Sequence, residues 1–246
     1  MDRFQTSRLV IGFPSGVLEG SLPFEALEKY RTAGFSTVEI HPQSPQDPLL
    51  DGARQGFREP SVHLPCQASF PERETLAVAH AARERGYTRI VAHPNVIRTF
   101  ALWRELGESL LVENLDFRFP GFQWVEDLQP ILEQLPDARF CLDVAHAWDG
   151  SVQQGVRLFE TFRDRLAEVH FSEIDLKTAF HREDIGGVYL ESCRPLLKRV
   201  PVGTPLILEM ATLPLTRLQE VRKQVERALG EELHAPRSES GAPVEI

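Results

Sequence analysis

Acidic residues and histidines recur at the ends of short apolar runs along this chain. LLVENLD carries Glu113, FCLDVAHAW carries Asp143 and His146, LAEVHFSEID carries His170, and PLILEM carries Glu209. Three earlier runs close the same way: STVEIHP with Glu39 and His41, SVHLP with His63, and RIVAHP with His93. A short run rich in Val, Ile and Leu reads as a strand buried on both faces. A carboxylate or imidazole at its exit is held near the core and can face a pocket. Several such exits converging would supply hard oxygen and borderline nitrogen donors, the makings of a metal site. Any one of them alone could be a helix cap, an ion-pair partner or a core histidine. Glu113, Asp143, His170 and Glu209 together point to one shared site.

These residues need a frame that brings strand ends together. The pattern predicts strands near 8–13, 36–40, 60–64, 89–92, 110–114, 139–143, 167–171 and 205–209. Amphipathic helical stretches lie between them, near 22–33, 72–86, 97–106, 123–135, 151–164, 188–199 and 213–229. The segment QSPQDPLLDGARQGFRE, rich in Pro and Gly, reads as holding at most a short helix. Ser21 ahead of Pro23 and Glu25 marks a helix start, and Gly34 and Gly86 mark helix ends. Eight strands alternating with helices make a parallel sheet. Eight is also the number that closes a (β/α)8 TIM barrel, whose function lies at the C-terminal strand ends. A doubly wound open sheet is the alternative. The expected organisation is a single barrel over residues 1–230 and a polar, flexible tail over 231–246, with His234 solvated in it.

Composition narrows the function classes. The chain has 246 residues, 42% of them hydrophobic, and a net charge of -9. That balance argues against broad attraction to nucleic acid or to a membrane surface. No apolar run reaches the ~18 residues needed to span a bilayer. Cys66, Cys141 and Cys193 are widely spaced, which suits reduced thiols and a cytoplasmic location. No phosphate-binding loop or GxGxxG motif is present; Gly186-Gly187 is a turn signal. A homo-oligomer is left open.

With VENLD, LDVAHAW, VHFSEID and LILEM in that order, the sequence resembles the xylose isomerase-like TIM barrels. That superfamily holds sugar isomerases, epimerases and endonuclease IV-type repair enzymes. The resemblance implies one divalent metal (Mn, Zn, Mg or Co) held by Glu113, Asp143, His170 and Glu209. It implies an isomerase or epimerase of a small sugar or keto-polyol. The cation would polarise a carbonyl and acidify the neighbouring C–H. Glu113 and Glu209 would then move the proton through a metal-stabilised enediolate. His146 would contact substrate.

Two roles stay open for His63 and His93: a second metal shared through Glu113, as in endonuclease IV-like members, or substrate contact. His146 shares that ambiguity. Glu39 resembles an acid that binds a hydroxyl of the sugar, Arg182 an arginine that meets substrate oxygens, and Trp148 a wall of the pocket. The endonuclease-type Asp-x-His pair is replaced here: aligned on Gly186, Phe180 and Arg182 stand in its place, with His181 off register. The alternatives are a metal-dependent phosphodiesterase on damaged DNA, a lyase of the inosose dehydratase type, and a barrel that binds a ligand without turnover.

Overall fold

The structure, a computed structural model, describes residues 10–67 and 70–230. Eight parallel strands form one sheet: β1 Val10–Gly12, β2 Glu39–Ile40, β3 Ser61–His63, β4 Ile90–Ala92, β5 Leu110–Glu113, β6 Arg139–Asp143, β7 Leu166–Phe171 and β8 Pro205–Leu208. Their order is β1-β8-β7-β6-β5-β4-β3-β2. The two end strands meet at a single parallel bridge, Pro14 to Glu39, where the Glu39 N–H donates to the Phe13 carbonyl at 3.2 Å. The sheet is thereby a nearly closed (β/α)8 barrel. At this seam a Cβ on Gly12 would come within 2.7 Å of Thr37, so only glycine lets the two backbones approach.

The helices are α1 Pro23–Thr32, α2 Leu49–Gly56, α3 Glu72–Glu84, α4 Phe100–Trp103, α5 Val125–Gln134, α6 Gln153–Phe162, α7 Gly187–Leu197 and α8 Leu215–Gly230. Gly34 and Gly86 take φ of +79° and +81°, the left-handed conformation that ends α1 and α3 as the sequence predicts. The helix start at Ser21 falls one residue later: Leu22 is the N-cap, Pro23 opens the helix, and the Glu25 carboxylate accepts the Leu22 N–H.

One expectation is met and one is corrected. The Pro- and Gly-rich segment after β2 holds a short helix, the eight-residue α2. Leu49, Leu50 and Ala53 bury one face of it, and the Asp47 carboxylate accepts the Leu49 N–H at its start. The helix expected over 97–106 shrinks to the single turn of α4. A 3-10 segment, Arg104–Ser109, follows, because Gly107 leaves helical geometry there. The expected tail, 231–246 with His234, lies outside the described residues, as do residues 8 and 9 of the first predicted strand.

Strand alternation sorts the core. Ile90 and Ala92, Leu110 and Val112, and Phe140 and Leu142 pack in the large core under the helices. Their alternates Val91, Leu111 and Cys141 form a separate small cluster in the barrel interior. Two residues further on, the same inward face carries His93, Glu113 and Asp143. The fold therefore delivers the strand-end donors to one place by parity alone.

Candidate metal centre

Glu113, Asp143, His170 and Glu209 each offer a ligand atom, and these four atoms all lie within 4.8 Å of one another. A second set, His63, His93 and Glu113, meets the same criterion. Glu113 divides its two oxygens between them. Oε2 lies 3.2 Å from His63 Nε2 and 3.3 Å from His93 Nε2, while Oε1 lies 3.3 Å from His170 Nδ1. The His63 Nδ1–H donates to the Leu64 carbonyl at 3.0 Å, so Nε2 is the ring nitrogen turned to Glu113.

The ends of β5 and β6 are locked together. The Asn114 side-chain amide donates to the Asp143 carbonyl at 2.8 Å and accepts the Asp143 N–H at 2.9 Å. Asp143 Oδ1 accepts the His146 N–H at 2.7 Å, so only Oδ2 is left for another partner. Oδ2 is buried and accepts no hydrogen bond among the described residues, although His146 Nδ1 lies 3.3 Å away.

Electrostatics show the same shortage of positive charge. The ion-pair partners of Glu39, Glu113, Asp143 and Glu209 are imidazoles rather than lysine or arginine, among the described residues. Burial opposes charge on His63, His93, His146 and His170, yet the surrounding carboxylates outweigh it and raise all four; His146 reaches about 10. Burial works against Glu39 and Glu113 too, but the imidazoles hold both below the usual range, Glu39 at about 2. Burial pushes Asp143 up to about 7. Such a crowd of buried carboxylates is stable only with bound cations or protons. Three carboxylates and one imidazole match the donor chemistry of a divalent metal.

A cavity of about 200 Å³ opens over these donors. Its lining includes His63, His93, Glu113, His146 and Glu209, and also His41, Cys66, Asp116, Arg118 and His181. Arg182 and Trp148 are not among the lining residues. Arg182 pairs with Glu173 at 3.3 Å and Asp184 at 3.8 Å, and Trp148 packs edge-on against Tyr189 at 4.7 Å. Glu39 is fully buried, between His41 and His170. His181, Asp116, Arg118 and Cys66 are site residues that the sequence reading left unassigned. Burial lowers the His181 pKa, and its Nδ1 lies 2.8 Å from Ser172 Oγ. Asp116 is buried and holds the Arg118 guanidinium, with Nε at 2.9 Å and Nη2 at 2.7 Å. The signal for Asp116 lay in VENLD itself, whose last residue follows Glu113 by three.

No family model matches the sequence, and no curated protein matches it. Solved structures do. Endonuclease IV from Thermus thermophilus superposes with a TM-score of 0.64 at 16% identity, covering 90% of this chain and 99% of that one. D-allulose 3-epimerase from Methylomonas sp. gives 0.58 at 17% identity, covering 92% and 96%. A xylose isomerase domain containing protein from Salmonella typhimurium gives 0.61 at 14% identity, covering 93% and 99%. Likeness at these identities speaks for architecture, and the chain has the fold of the xylose isomerase-like TIM barrels.

Proposed function

We propose that this protein is a divalent-metal-dependent enzyme that isomerises or epimerises a small sugar or keto-polyol by proton transfer. The observation that carries the proposal is the convergence of Glu113, Asp143, His170 and Glu209 on one point beneath a cavity. When bound, a divalent cation supplies Lewis acidity toward a carbonyl and its adjacent hydroxyl. The protein does the rest. Glu209 lines the cavity with His170 Nδ1 at 3.5 Å as its ion-pair partner, and it takes the proton from carbon. Glu113, ringed by His63, His93, His146 and His170, returns it. His181 and His146 bind hydroxyls, and Arg118 meets an anionic or oxygen-rich end of the substrate. D-allulose 3-epimerase, with the same architecture, supports a sugar-sized substrate.

A second reading has one specific observation behind it. His63, His93 and Glu113 form a further three-donor group that shares Glu113 with the first. Two metals bridged by a carboxylate suit phosphodiester hydrolysis. The experiment that separates the readings begins with metal content by mass spectrometry on wild type and Glu209→Gln. It continues with keto-sugars in D2O, read by NMR. About one metal per chain, lost in the variant, together with deuterium entering a substrate C–H, supports proton transfer. Two metals with no deuterium uptake and cleavage of abasic DNA sinks it in favour of the hydrolase. A protein that takes up no metal ends both.

A further inference from the structure

Below the four donors the barrel interior holds a second charged group, which does not line the cavity. His170 turns Nδ1 toward Glu113 and Glu209 and Nε2 toward Glu39 Oε2 at 3.2 Å and Glu168 Oε1 at 3.4 Å. The other oxygen of Glu168 accepts Arg89 Nε at 2.9 Å. Arg89 Nη1 reaches Glu59 at 3.3 Å, and Nη2 donates to the Glu59 carbonyl. Glu168 and His170 are fully buried, and Arg89 is 7% exposed. Residues two apart on β7 share a face, so Glu168 stands directly behind His170.

Resting on the metal reading above, we infer that Glu168 and Arg89 are positioning residues of the metal centre, acting through His170. An imidazole can ligate through Nδ1 in a defined orientation only when Nε2–H has an acceptor. Glu168 is that acceptor. The Arg89 Nε–H, donating to Oε2 at 2.9 Å, holds the Glu168 carboxylate in place with Oε1 aimed at His170. Glu39 Oε2 lies nearer, at 3.2 Å, but makes no hydrogen bond there, whereas Glu168 Oε1 meets Nε2 in hydrogen-bond geometry. Packing does not account for the pair. The corresponding inward positions on the neighbouring strands carry Val91, Leu111, Cys141 and Ile207, and a buried ion pair is commonly no more stabilising than apolar residues of its size.

The test uses wild type, Glu168→Gln and the double variant Arg89→Met/Glu168→Leu. Metal-stripped protein is titrated with Zn2+ against a chromophoric chelator. Melting of the metal-free protein is followed in parallel, and the His170 ring nitrogens are read by 15N NMR in the Zn-loaded state. The expected result is Zn2+ binding weaker by roughly 10–100-fold in both variants, a metal-free melting temperature close to wild type in the double variant, and loss of the Nε2–H signature of His170. Variants that bind Zn2+ as tightly as wild type with an unchanged His170 spectrum overturn the inference, even if their melting temperatures fall. Should the double variant fail to fold, the near-isosteric Glu168→Gln decides by the same affinity criterion. A wild type that takes up no Zn2+ overturns the metal reading and this inference with it; unchanged variants overturn this inference alone.

Discussion

Two charged groups share the interior of one barrel and are built on opposite terms. The lower one gives its buried carboxylate a full cation: Arg89 faces Glu168, the half-exposed Glu59 and a carbonyl at hydrogen-bond distance. The upper one gathers Glu39, Glu113, Asp143 and Glu209 around imidazoles and leaves Asp143 Oδ2 without a hydrogen bond. A structural ion pair supplies its own countercharge. A binding site leaves that countercharge to be brought in. That difference is what makes the upper of the two buried polar clusters the candidate binding site.

Breaking the lower group should have the largest effect. Arg89→Ala leaves Glu168 buried without its cation, and unfolding free energy should drop by about 3–5 kcal/mol in denaturant titrations. A loss below ~1 kcal/mol would mean that the pair is not desolvated as its burial implies. Breaking the upper group should act on metal before stability. Glu209→Gln removes a donor, and affinity for Mn2+ or Zn2+ should fall by about a hundredfold or more, ~2.7 kcal/mol, by calorimetry.

The upper group should also carry a pH signature. The raised pKa values of His63, His93, His146 and His170 mean that their stabilisation is complete below the unfolded value of 6.5 and is lost as pH rises through the folded values, about 10 for His146. Asp143, raised from 3.8 to about 7, declines in the same direction but lower in pH, between those two values. The lowered carboxylates Glu39, Glu113 and Glu209 act at the other end: their contribution is present above 4.5 and is lost as pH falls, toward about 2 for Glu39. The metal-free protein should therefore melt at lower temperature at pH 9 than at pH 6. Zn2+ displaces those protons, so it should raise the melting temperature more at pH 8 than at pH 6; equal gains would sever the link between imidazoles and metal. The smallest effect is reserved for a surface pair. Asp51→Asn, which removes the exposed partner of Arg85 at 2.9 Å, should change stability by less than ~1 kcal/mol.

The sequence makes the strand ends legible because parity leaves little choice. Glu113, Asp143 and Glu209 end apolar runs, and in a barrel an inward residue at a strand end has nowhere to go but the site. Direction along a loop is a different matter. Arg182 and Trp148 stand near strand exits in sequence, yet one pairs with Glu173 and the other packs on Tyr189. His181 enters the cavity because Ile174 and His181 form an antiparallel bridge that folds the loop back, a pairing no local pattern announces. Glu168 was readable, being two residues before His170 on the same strand. Helix α2 was legible only as a short helix behind its preceding prolines, although Leu49, Leu50 and Ala53 carry the spacing of a buried helical face.

The seam at Gly12 has a consequence in time. β2 is two residues long, and one bridge joins it to β1, whereas β6 and β7 run side by side through four paired positions. Local opening of a fold begins where few hydrogen bonds must break. The amide of Glu39 is one of those bonds, so its hydrogen should exchange with solvent earlier than that of Val169. Each such opening parts the barrel wall beside a carboxylate of the site. The seam is then the part of the barrel wall that yields first, beside Glu39.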